Sequence, residues 1–228
     1  LMLLLIIMSA TLISNCDGQQ MKGEPVHLKS IDDVPDIAWE KLSRKKIYFG
    51  HKSVGFSIIE GVKDVMKNNS KIRLKIVETD KFSDSNGGIF AHFEVGENFN
   101  PESKMASFEN ILKKEIGNKA DIAFFKYCFV DVHSGTDTWK LFLEYNNRMR
   151  KLEKQYSQTK FIHMTVPYTS EPSGMKGWIK TAKDKIKKVI GKTNYFDNTK
   201  RNQFNEMLQK EYQDKQNLFD LAKIESTH

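Results

Sequence analysis

The order of apolar segments along the chain predicts an α/β domain whose central parallel sheet is covered by helices on both faces. Short runs rich in branched and aromatic residues alternate with longer stretches whose apolar residues recur at helical spacing. Strands so arranged are buried on both faces, which is the habit of parallel sheets. The 228 residues, 39% hydrophobic and 29% charged, suffice for one sizeable core.

Residues 34–42 carry Pro35 early and read as a short helix. The run 45–50 reads as a buried strand. A tight loop with His51, Lys52 and Ser53 follows, and Val54, Ile58, Val62 and Val65 then mark one face of a helix over 54–66. The alternation continues with a strand at 72–77, a helix around 108–116 and a buried strand at 121–128. A long helix from about 137 to 156 precedes a strand at 160–166, stopped by Pro167. Two Lys-rich helical stretches lead to a last strand with an exit loop in 217–228, so the domain reads as C-terminally incomplete. The segment 80–101, which includes Asn86, Gly87 and Gly88, lacks periodicity and reads as a long functional loop.

Lys and Arg number 36 against 29 Asp and Glu, a formal charge of +7, but they are scattered along the chain. A dedicated nucleic-acid binder clusters its basic residues, so no nucleic-acid partner is expected. The stretch with Lys176, Lys180, Lys183, Lys185, Lys187, Lys188 and Lys192 reads first as a solvated helix face. The two cysteines, Cys16 and Cys128, stand in unlike contexts and do not form a disulfide framework.

The uncharged apolar run over 1–16 is shorter than the roughly 20 residues of a spanning helix and reads as a signal-peptide core. Its end, Leu12-Ile13-Ser14-Asn15-Cys16, resembles a bacterial lipobox, in which the cysteine is lipidated after cleavage. Asn15 stands where a small Gly or Ala is usual, and the polar Asp17, Gly18, Gln19 and Gln20 suit a tether. The expected organisation is therefore a leader over 1–16, a tether over 17–33 and a domain over 34–228. An exported protein follows, held on a bacterial cell-envelope membrane through Cys16, or periplasmic or secreted if that cysteine is unmodified.

Ligands of an open parallel sheet sit outside the carboxyl ends of its strands. Ser53 falls there, between a strand end and a helix N-terminus, and two readings fit it. A nucleophilic serine is often placed so, and Ser is also among the preferred helix N-caps. His51, two residues away, reads either as orienting Ser53 or as a loop histidine bonded to backbone. His92 and His133 fall in expected loops, whereas His163 sits inside a strand and reads as a satisfied core histidine. No His pair has zinc-site spacing, so no metal is expected. In the cluster 126–131, Lys126 and Asp131 could pair across the site, and Cys128 reads either as a nucleophile or, with more weight, as a small buried hydrophobe, the usual role of a lone cysteine.

The segment 47–55 resembles the first block of a divergent bacterial branch of the SGNH (GDSL-like) hydrolases, with Gly50-His51-Lys52-Ser53-Val54-Gly55 in place of Gly-Asp-Ser. Residues 86–92, 96–98 and 126–131 are similar to later segments of that branch, and the likeness runs from about Ile37 to the end. It implies a three-layer α/β/α sandwich of SGNH or flavodoxin-like kind and a serine esterase, with no cofactor. The implied substrate is an ester-bearing small molecule or glycan, such as one carrying O-acetyl groups. Ser53 is then the nucleophile, its own N–H, Gly88 and Asn98 face the oxyanion, and His51, Lys126 and Asp131 line the pocket. Two departures stand out. Cys128 and Val130 occupy the Gly and Asn positions of the family's Gly-x-Asn-Asp block. The family's Asp-x-x-His pair is not found at Asp220, which has Lys223 three residues on; Glu225 and His228 have that spacing at the chain terminus, and the pair is expected beyond it. The alternative is a surface lipoprotein that uses the same fold for glycan binding without catalysis. A nucleotide binder is disfavoured, since the first loop lacks a glycine-rich phosphate cradle.

Overall fold

The computed structural model describes residues 30–82, 87–169, 198–215 and 217–226. Six strands, β1 (Lys46–His51), β2 (Ile76–Glu78), β3 (Ile89–Glu94), β4 (Ile122–Phe125), β5 (Lys160–Met164) and β6 (Leu218–Phe219), form one sheet in the order β2-β3-β1-β4-β5-β6. Every pairing is parallel. The carboxyl ends of all six strands therefore gather at one edge.

The α/β/α layering follows from alternation along the strands. Ile47 and Phe49 of β1 join Phe90, Phe124 and Ile162 under α1 (Asp36–Ser43) and α2 (Val54–Asn68). Tyr48 points to the other face, with Ala91, Ala123, Phe125 and Phe161, under α3 (Pro101–Ile111), α4 (Thr138–Gln155) and α5 (Asn198–Tyr212). The short α6 (Leu221–Ser226) returns to the first face, where Leu221 is buried. Helix starts follow local chemistry. The Asn100 side chain accepts from Ser103 N, with Pro101 at the first helical position, and the Asp137 side chain accepts from Lys140 N. Among the described residues no helix is long and apolar enough to cross a membrane.

Three expectations change. The aperiodic segment 80–101 contains β3, the neighbour of β1, with Ile89, Phe90, Ala91 and His92 buried. A strand covered on both faces carries no alternation for periodicity to detect. The strand at 72–77 shrinks to Ile76–Glu78 at the sheet edge. Residues 221–226 form a helix rather than an exit loop. At the N-terminal side, Ile31 of a 3₁₀ turn (Ile31–Asp33) already packs on the core, so ordered packing reaches into the expected tether. Cys16, the leader and the Lys-rich stretch 176–192 lie outside the described residues.

Candidate active site

Ser53 stands at the carboxyl end of the central strand, at the N-cap position of α2, yet its side chain makes no capping hydrogen bond. Its backbone has φ 57° and ψ −112°, a conformation that costs a non-glycine residue about 1–3 kcal/mol. A plain cap needs no such strain, because a capping residue is usually extended. Ser53 is partly exposed beside the N-terminus of α2, where Gly55 N and Phe56 N are already bonded to Lys52 O and Ser53 O.

Beneath the turn lies His51, the last residue of β1 and 0% exposed. Its Nε2 is 3.0 Å from Nδ1 of His92 on β3, and its Nδ1 has no hydrogen-bond partner among the described residues. The ring packs against Phe49 and, edge-on, against Phe56. Burial, then His92 and the Lys126 charge, push its pKa down to about 3. His51 is therefore neither a loop residue nor bonded to backbone through its ring. His92 belongs to β3; burial lowers its pKa, with Glu78 and Glu60 pulling it up and Lys63 pushing it further down.

Leaving β4, Lys126 and Cys128 pass under the same turn. Lys126 Nζ donates to Cys128 Sγ at 3.1 Å, and Cys128 Sγ donates to the carbonyl of Lys52 at 3.3 Å. The thiol thus ties the β4 exit to the residue before Ser53. Lys126 also acts at longer range: desolvation raises the pKa of Glu225 on α6, and the Lys126 charge draws it back down.

Lys126 and Asp131 do not pair. Asp131 is bound by Lys104 Nζ at 2.5 Å and by the N–H groups of Cys128 and Phe99, and the Lys104 and Asp131 side chains are both 0% exposed. Lys104 also donates to Asn98 Oδ1 at 2.9 Å. The sequence reading missed Lys104, although it sits four residues before the buried Phe108, on the stripe of α3 that meets the core. Asn98 is held at this lock through its Oδ1.

Gly88 is at the wrong end of the sheet. It precedes β3, and Ile89 is in register with Lys46, the first residue of β1, whereas Ser53 follows the last. A Cβ on Gly88 would meet the Ser43 carbonyl at 2.1 Å, so the residue is needed for the packing of the α1–β1 turn. Its N–H cannot serve an oxyanion at Ser53. Asp220 accepts from Thr165 Oγ1, Gln209 Nε2 and Lys223 N, a set that joins β5, α5 and α6. His163 is satisfied by Tyr145 and Glu153 and stacks on Tyr212. His133 caps its own turn, accepting from Gly135 N. His228 lies outside the described residues. Among the described residues no cluster of three His, Cys, Asp or Glu side chains is placed to hold a metal.

No known family and no curated protein matches this chain. Among solved structures, an acetyl xylan esterase, AlAXEase, is 18% identical over 78% of each chain, with a TM-score of 0.41. A likeness that weak and partial establishes no activity for this chain. What stands on the structure itself is a parallel six-stranded α/β/α sandwich of flavodoxin-like kind, with a strained serine at the carboxyl edge of its central strand.

Proposed function

We propose that this domain is a serine ester hydrolase of SGNH type in which Ser53 is the nucleophile. The observation that carries the reading is the left-handed backbone of Ser53 without a capping bond, at the carboxyl end of β1. Strain of that kind persists only where surrounding structure imposes it, and it clusters at functional sites. In the reaction Ser53 Oγ adds to the ester carbonyl, its proton passes to a base, and the alcohol leaves with a proton returned to it. Water then releases the acid from the acyl-serine. The Ser53 N–H and the Asn98 Nδ2 are the proposed oxyanion donors. His51, Lys126 and Asp131 are proposed as the floor of the pocket. The substrate class, a small acyl ester such as an O-acetylated glycan, and export with anchoring through Cys16, rest on the residue resemblance.

One observation favours the non-catalytic reading instead. Among the described residues no side chain is hydrogen-bonded to Ser53 Oγ, so the base is not in place there. A fluorophosphonate probe separates the two. Covalent labelling of the folded chain at Ser53, lost in Ser53→Ala, supports the hydrolase. Absence of labelling together with glycan binding supports the binding module.

A further inference from the structure

We propose that the buried His51–His92 pair is the positioning device for Ser53, and that Gly55 is the contact through which it acts. The inference rests on Ser53 being the nucleophile. Residues 51 and 55 bracket the turn. A Cβ on Gly55 would lie 2.3 Å from His51 Cβ, 2.5 Å from Cγ and 2.6 Å from Nδ1, so the backbone of the first turn of α2 rests directly on the imidazole. To bring residue 55 onto the ring of residue 51, the chain must reverse sharply within three residues. That reversal falls on Ser53 as φ 57°. Hydrogen bonds from Gly55 N to Lys52 O and from Phe56 N to Ser53 O close the turn.

The ring is in turn fixed from every side. Phe49 packs at 4.9 Å, Phe56 at 4.6 Å, and His92 holds Nε2 at 3.0 Å. The free Nδ1 decides the tautomer. A buried N–H without an acceptor costs more than an unfilled lone pair, so His51 carries its proton on Nε2 and donates to His92 Nδ1. His92 then carries its own proton on Nε2. A second proton on the pair would set two donors against each other, beside the Lys126 ammonium that faces His51. The groups facing His92 are Glu78 of β2 and Glu60 and Lys63 of α2. His51 is thus a support and not the base: its Nε2 is engaged by His92, and its Nδ1 is covered by the backbone at Gly55.

The experiment measures fluorophosphonate labelling rates on the full chain. Gly55→Ala drives a methyl into the His51 ring and should slow labelling by on the order of tenfold to a hundredfold, the scale of a small misplacement of a reacting atom. His51→Ala should also slow it, and the double variant should be no slower than His51→Ala alone, because the ring that the methyl strikes is gone. His92→Asn, which keeps an acceptor near the Nδ1 position, should retain most of the rate that His92→Leu loses; this pair carries the test if Gly55→Ala does not fold. Nitrogen-15 shifts should show the His51 imidazole as the Nε2–H tautomer from pH 5 to pH 8. Additive effects of the two substitutions, equal rates in His92→Asn and His92→Leu, or a charged His51 at pH 5 would each overturn the proposal. A parent chain that labels at Ser53 while Gly55→Ala labels at the same rate overturns the positioning role alone. A folded parent chain that never labels overturns the nucleophile and this role together.

Discussion

Two loops meet at the carboxyl edge of the sheet and are held by opposite means. The turn after β1 is held mainly by shape, with a neutral imidazole among aromatic neighbours and a glycine pressed against it, and its Lys52–Glu94 ion pair, at 3.0 Å, is partly exposed. The loop after β4 is held by charge, with the Asp131 carboxylate taking up Lys104 and two backbone N–H groups in full burial. Charge fixes direction but must be satisfied completely once it leaves water. Close packing of a neutral ring leaves a strained side chain beside it unencumbered. That difference explains why the first loop presents Ser53 and the second acts as its foundation.

The comparison breaks most visibly at Asp131. Asp131→Ala leaves Lys104 buried without its carboxylate and should cost about 3–5 kcal/mol in urea unfolding. A cost below 1 kcal/mol would mean that the charge lock contributes little. Next is acid. The folded chain holds His51 neutral down to about pH 3, whereas an unfolded histidine takes a proton near pH 6.5. The contribution of His51 is thus fully present above about pH 6.5 and is lost progressively as the pH falls toward 3, on the order of 4–5 kcal/mol in all. Stability measured against pH should therefore fall less steeply for His51→Phe across that window, and parallel curves would refute the assignment. Cys128→Ala removes the thiol between Lys126 and the Lys52 carbonyl; it should cost about 1–2 kcal/mol by thermal unfolding and leave Ser53 labelling in place. The smallest effect sharpens the shape side. Ser53→Gly relieves the left-handed backbone and should raise stability by up to about 1 kcal/mol after the entropy cost of glycine, a gain that Ser53→Ala lacks.

Much of this was legible in the chain. β1, β4, β5 and the long α4 follow from apolar runs and helical spacing, and the loop with His51 and Ser53 follows from its place between a strand and a helix. β3 was not legible, since Ile89 to His92 are buried without alternation behind a Gly-rich stretch. Losing that strand also misplaced Gly88, which is read from sequence as part of a loop beside Ser53 and instead precedes β3 at the far edge. The pairing of Asp131 was misread for a related reason. Lys126 is five residues away in sequence, whereas the true partner, Lys104, arrives on α3, a contact that no local pattern announces.

The sequence by itself determined what depends on neighbours a few residues apart: the strand-turn-helix unit around Ser53, the start of the long α4 near Asp137, and the apolar stripe of α2. These are settled by backbone sterics and short-range hydrogen bonds, which a linear pattern records. Tertiary structure alone decided which end of the sheet each loop reaches, which lysine meets Asp131, and that Ser53 is strained rather than capping. Those outcomes depend on strand register and on the packing of His51 against Gly55 and His92, where residues far apart along the chain must fit the same small volume.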